Sequence, residues 1–179
     1  MREQKFSLTA FPAAGPLPEF TLSGGIARRG HVLTLRYDLH GRLADIAIPR
    51  LMKNPGRRQG LWEDTCFELF LVLKGSPQYW EFNLSPAGHW NVYQFVDYRR
   101  GMQEEPAFAS LPFSIRRGRG AWRLTLEADL RGIIPPGQEL EAGVSAVIKL
   151  RDGRQTYWAL THCAPEPDFH RRDSFLLTL

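Results

Sequence analysis

Trp62, Glu63, Asp64 and Glu68 fall where a long polar loop enters an apolar run, Cys66-Phe67-Glu68-Leu69-Phe70. A carboxylate inside such a run is costly to bury unless hydrogen bonds receive it. Glu68 therefore either faces solvent on a half-exposed sheet or points into a pocket that takes a ligand or a partner side chain. A second concentration of chemistry is the C-terminal segment from Tyr157 to Phe175. Pro165 and Pro167 stiffen it, and Phe169 stands between Asp168 and His170 with no obvious place in a core. Phe169 either plugs one end of the fold or offers an aromatic face. Such faces receive the apolar C–H side of sugar rings and stack on planar cofactors, and neighbouring carboxylates or amides then fix the ligand's orientation.

Other chemistries lack their residues. The chain has no G-x-S-x-G elbow, Walker A loop, G-x-G-x-x-G or H-E-x-x-H motif. The five histidines, at 31, 40, 89, 162 and 170, have no zinc-site spacing. An enzyme would need Asp64, Glu68, His162 and Cys163 to converge, because acid–base groups must lie within hydrogen-bond reach of the substrate.

The elements that position these residues are strands. Apolar residues alternate with polar ones over 31–39, 79–84, 121–128 and 142–150, and 66–73 is apolar on both faces. In 79–84, Trp80, Phe82 and Leu84 oppose Tyr79, Glu81 and Asn83. A strand over 89–96 follows the turn Ser85-Pro86-Ala87-Gly88, and Asp152-Gly153 marks a hairpin. Shorter strands are expected at 4–9, 19–23, 44–48, 112–117, 156–161 and 174–179. Gly24-Gly25 reads as a turn, 128–134 as a brief helical turn, and Pro12 to Pro18 as an extended lead-in. Turns at such short intervals predict an all-β chain folded as a β-sandwich or barrel, one domain over 1–179. Two long loops, 51–61 and 97–112, overhang it and are natural places for binding residues.

Composition narrows the partners. The 179 residues are 43% hydrophobic and 23% charged, which excludes a disordered chain. The net charge is +4, carried largely by Arg in short knots such as Arg57-Arg58, Arg99-Arg100 and Arg171-Arg172. Acids are interspersed, so these read as loop tips and not as a nucleic-acid footprint. No stretch approaches the ~20 apolar residues that span a bilayer, and no signal-peptide run opens the chain. Cys66 and Cys163 are expected as free thiols in a cytoplasmic protein, with a disulfide only if folding brings them together.

Four blocks in order, W-E-D-x-x-x-E-L-F from Trp62, Y-W-E-F-N-L-S-P from Tyr79, A-W-R-L-T-L-E-A-D-L from Ala121 and D-F-H-R-R-D-S-F from Asp168, resemble the family 9 carbohydrate-binding modules and the wider DOMON-like superfamily. The resemblance runs from Leu61 to Leu179. It implies a non-enzymatic, jelly-roll-like β-sandwich of two antiparallel sheets whose ligand lies at its open end or concave face. Residues matching the family's sugar-binding positions are the aromatic clamp Trp62 and Phe169, with Glu68 and Glu81 as hydrogen-bonding partners. The family's second aromatic is typically Trp, where this chain has Phe169. The resemblance thus points to a small-molecule ligand, a sugar, with no required cofactor. Other members bind haem through an axial Met, which would draw on Met52 or Met102 with His162, His170 or Lys149. A third possibility is a protein-interaction module with no small ligand. The sequence leaves the oligomeric state open.

Overall fold

Strand β4 (Cys66–Leu73) is buried along almost its whole length, on both faces. That requires a layer on each side of it, and the computed structural model, which describes residues 2–12, 16–17 and 19–179, supplies both. Around β4 lie β1 (Gln4–Ala10), β2 (Phe20–Arg29), β3 (Val32–Gly41), β5 (Tyr79–Leu84), β6 (Trp90–Phe95) and β7 (Gln103–Glu104), then β8 (Phe113–Gly118), β9 (Ala121–Asp129), β10 (Leu140–Lys149), β11 (Gln155–Ala159) and β12 (Leu177–Thr178). All pair antiparallel in the order β7-β6-β5-β4-β10-β11-β1-β2-β3-β9-β8, with β12 beside β10. The ribbon curls at β1, which pairs β11 on one side and β2 on the other. Two layers thereby face each other as a β-sandwich.

The core between the layers follows from the period of two. Leu33, Leu35, Tyr37 and Leu39 of β3 and Trp122, Leu124 and Leu126 of β9 meet Phe67, Leu69 and Leu71 of β4 and Phe82 of β5. Phe67 stacks on Trp122 with ring centroids 4.7 Å apart, and Tyr37 lies 5.1 Å from Phe67. Each such pair contributes about 0.5–1.5 kcal/mol beyond the area it buries. The Tyr37 hydroxyl crosses the core to donate to the Glu68 backbone carbonyl.

Several expectations are corrected. Gly24-Gly25 is no turn: β2 runs through it to Arg29. A Cβ on Gly24 would lie 2.4 Å from the Phe6 ring, so the glycine admits a close approach between strands. Residues 44–48 form a 3-10 turn at Leu43–Asp45 and then a single bridge, Ile46 to Leu150. The Arg42–Asp45 ion pair fits the turn, and Pro49 has no N–H to extend a ladder. Of the last predicted strand only the end pairs, Leu177–Thr178 as a short strand and Leu179 through two backbone hydrogen bonds with Leu140. The brief turn expected over 128–134 is present, the Leu130 carbonyl accepting from the Ile133 and Ile134 N–H groups. Part of the Pro12 to Pro18 lead-in lies outside the described residues.

The Arg knots are not uniformly loose tips. The Arg57 guanidinium lies 4.5 Å over the Trp90 ring and donates to Asn91 Oδ1 and to the Glu105 and Phe108 carbonyls. It joins the two long loops. Both cysteines are free. No helix among the described residues is long and apolar enough to cross a membrane.

Candidate functional site

The outer face of the β6-β5-β4-β10-β11 layer is built by the residues that alternate with the core. Register aligns them in rows: Ser145, Glu68, Asn83 and Asn91 form a polar row across β10, β4, β5 and β6. The next row is Gly143, Phe70, Glu81 and Tyr93. Beyond it Phe70, Val72, Tyr79, Tyr93, Phe95 and Phe175 make a second, smaller apolar cluster. The C-terminal segment covers that cluster, with Phe175 stacked 5.6 Å from Phe70. Where this cover stops short, a cavity of about 450 Å³ opens over Glu68 and Glu81.

All four residues singled out in the sequence line this cavity. Trp62 sits on a 3-10 turn (Leu61–Glu63), is 38% exposed, and meets Tyr93 edge-on at 5.9 Å. Phe169 is half-buried, 6.2 Å from Tyr157, and also packs on the second cluster. It is therefore both plug and wall. Glu68 and Glu81 form the floor and are only 3% and 5% exposed.

The floor is electrostatically unusual. Ser145 Oγ donates to Glu68 Oε2 at 3.2 Å, and Asn83 Nδ2 donates to Glu81 Oε1 at 2.7 Å. Cys66 Sγ fixes the Asn83 amide from behind, donating to its Oδ1 at 3.4 Å. Among the described residues, Glu68 Oε1 has no hydrogen-bond partner and Glu81 Oε2 has only His170 Nε2 at 3.8 Å. Burial, and then repulsion from Glu81, hold the Glu68 carboxyl well above the ordinary range. Burial raises Glu81 to about 7, against the pull of Asn83 and Arg99. Two such carboxyls in one site share protons and titrate as a pair.

Residues that sequence reasoning missed complete the wall. Arg99 is the one non-glycine among the described residues with a left-handed backbone, φ 51°, a conformation that costs about 1–2 kcal/mol and persists only where surroundings impose it. Its N–H donates to the Tyr79 hydroxyl at 3.1 Å, and its guanidinium donates to Asp168 at 2.8 Å. The Tyr79 hydroxyl in turn meets His170 Nδ1 at 2.7 Å. With the Tyr79 proton given to Nδ1, the imidazole proton falls on Nε2, facing Glu81. Burial, and then Arg99, lower the His170 pKa to about 4, so the ring is neutral near pH 7. In the sequence Arg99 reads as a loop tip, and His170 enters only as a possible haem partner. Their only signal was position, since Arg99 lies in a predicted binding loop and His170 beside Phe169.

The four residues that an enzyme would need do not converge. Asp64 pairs with Lys149 at 2.5 Å, and His162 Nε2 lies 3.0 Å from the Thr9 carbonyl. Neither they nor Cys163 line the cavity that Glu68 lines.

One solved structure is a "putative carbohydrate-binding protein" from Bacteroides uniformis. It matches with a TM-score of 0.69 at 18% identity, over 96% of this chain and 84% of the other. The two chains share a fold. No family model and no curated protein matches the sequence.

The donor set does not fit haem. Met102 and His170 both line the cavity, but both His170 nitrogens face protein groups, Tyr79 and Glu81. A porphyrin would also lay its apolar face on two buried carboxyls, which is unfavourable. Met52 and Lys149 lie outside the cavity lining. No group of three or more His, Cys, Asp or Glu among the described residues could hold a metal ion.

Proposed function

We propose that this chain is a non-catalytic carbohydrate-binding module of the DOMON-like kind, related to the family 9 modules. One observation carries the reading: Trp62 and Phe169 line the same cavity as two buried carboxyls, each with an oxygen left for a ligand. Aromatic walls suit the C–H faces of a sugar ring, and the carboxyls suit its hydroxyls. The volume of about 450 Å³ is within the usual range for a small-molecule pocket, about 300–1,000 Å³. The four sequence blocks in family order and the fold shared with the Bacteroides uniformis protein support the same reading. Two free cysteines suit a reducing, cytoplasmic setting.

A single stacked ring contributes on the order of 1 kcal/mol beyond area burial. A monosaccharide then binds in the micromolar to millimolar range. Calorimetry or ligand-observed NMR against a panel of mono- and disaccharides tests this. Saturable binding of at least one sugar, weakened by Trp62→Ala, is the expected result. Absence of binding at millimolar sugar, or an affinity indifferent to Trp62→Ala, overturns it.

A further inference from the structure

The chain is basic, with a net charge of +4, yet its cavity is acidic. Glu68 and Glu81 form the floor, and Glu63 adds a third carboxyl at the exposed edge. The one cationic side chain in the lining, Arg99, is already held by Asp168 at 2.8 Å. His170 is neutral near pH 7. Every other polar group facing the pair is uncharged: Ser145 from β10, Cys66 from β4, Asn83 and Tyr79 from β5, Tyr93 from β6, and Tyr37 from the core side. Two carboxyls more than nine-tenths buried thus each keep one oxygen without a hydrogen bond, in a cavity otherwise walled by Trp62, Phe95, Tyr157 and Phe169.

A neutral sugar hydroxyl would donate to one free oxygen but could not offset the repulsion between two ionised carboxyls, so it would leave the pair's protons in place. An ammonium group has three donors, and its charge offsets that repulsion. Aromatic faces attract a cation as well as a C–H surface. We propose that the ligand is an amine-bearing sugar of the hexosamine type, with its free ammonium held between Glu68 and Glu81 and its ring against Trp62 or Phe169. The inference rests on the carbohydrate reading and sharpens its ligand class. In the free protein the pair keeps protons that an ammonium displaces, so binding releases protons into solution.

The test is calorimetry on the full chain at about pH 6, below the value near 7 for Glu81, with four probes: glucose, N-acetylglucosamine, glucosamine and cyclohexylamine. Running each in two buffers of different ionisation enthalpy reads out the protons. Glucosamine is expected to bind at least about tenfold tighter than glucose or N-acetylglucosamine, as a charge-assisted hydrogen bond does. It is also expected to release about one proton, while the neutral sugars release none. Glu81→Gln should erase both differences, and Glu68→Gln is the second variant if Glu81→Gln does not fold. Equal affinity for the three sugars without proton release overturns the amine inference and leaves carbohydrate binding standing. Binding of cyclohexylamine with no sugar bound overturns carbohydrate binding and supports the ammonium site. Silence from all four probes overturns both.

Discussion

The Arg99 guanidinium donates to the Asp168 carboxylate at 2.8 Å and ties the loop after β6 to the C-terminal segment along one wall of the cavity. Asp168 is the knot. Its oxygens also accept from the Tyr98 hydroxyl and from the His170 amide N–H at 3.1 Å. Burial raises its pKa, but the bonds from Tyr98 and Arg99 outweigh that and leave it lowered. The wall is therefore held by a depressed carboxylate, whose contribution is present above its unfolded pKa and lost as pH falls through the folded value.

Asp168→Asn should release this wall. Arg99 is half exposed, so the ion pair itself contributes little and the hydrogen bonds contribute most. The expected cost is about 1–2 kcal/mol in denaturant unfolding, with a severalfold loss of sugar affinity. A variant with unchanged stability and unchanged affinity would show that the cavity wall does not depend on this contact.

Gly143→Ala attacks the same cover from beneath. A Cβ there would fall 2.5 Å from Phe175 Cδ1, and Phe175 is a buried ring stacked on Phe70. The ring has to shift, at a cost of about 1–3 kcal/mol for overpacking. At this chain length that is a fall in Tm of roughly 2–4 °C per kcal/mol. Gly56→Ala is the control, because nothing lies within 4 Å of its added carbon. Equal melting temperatures for the two variants would mean that Phe175 does not seat on Gly143.

The parts legible in the sequence were those decided by local alternation. Strands β4, β5, β9 and β10 were readable because one face of each is apolar at every second residue, and Glu68 stood out because it breaks an apolar run. Burial of the outer face was not readable. It depends on Phe175, which arrives from more than 100 residues beyond Phe70. The Arg99–Asp168 contact likewise spans 69 residues, and no spacing rule announces such a pairing. Gly24-Gly25 misled because a close strand crossing and a turn ask for the same residue type.

The two thiols should differ in reactivity. Cys66 is fully buried, and burial, then repulsion from Glu68 and Glu81, push its thiol up, away from the reactive thiolate. Cys163 is half-buried and free. A disulfide-exchange reagent should label one thiol in the native protein and the second only on denaturation. Rapid labelling of both in the native state would contradict the packed floor beneath Asn83.

The last prediction follows from the sign of the Glu81 shift. Its carboxyl binds a proton more tightly folded, at about 7, than at its ordinary 4.5. Between those values the native state holds more protons than the unfolded chain, so Glu81 lowers stability as pH rises through that window. His170, at about 4 against 6.5, binds its proton less tightly when folded and raises stability as pH rises between its two values. The two slopes oppose each other over most of the same range, and the wild-type profile alone would hide both. Glu81→Gln removes one of them. Relative to wild type, the variant should gain stability between about pH 5 and about pH 8, by up to roughly 3 kcal/mol for a shift of this size. Denaturant unfolding of both proteins at the two pH values measures that difference of differences. A result near zero would mean that Glu81 is ionised in the folded chain near pH 5, and the site would then lack the proton that an ammonium ligand is proposed to displace.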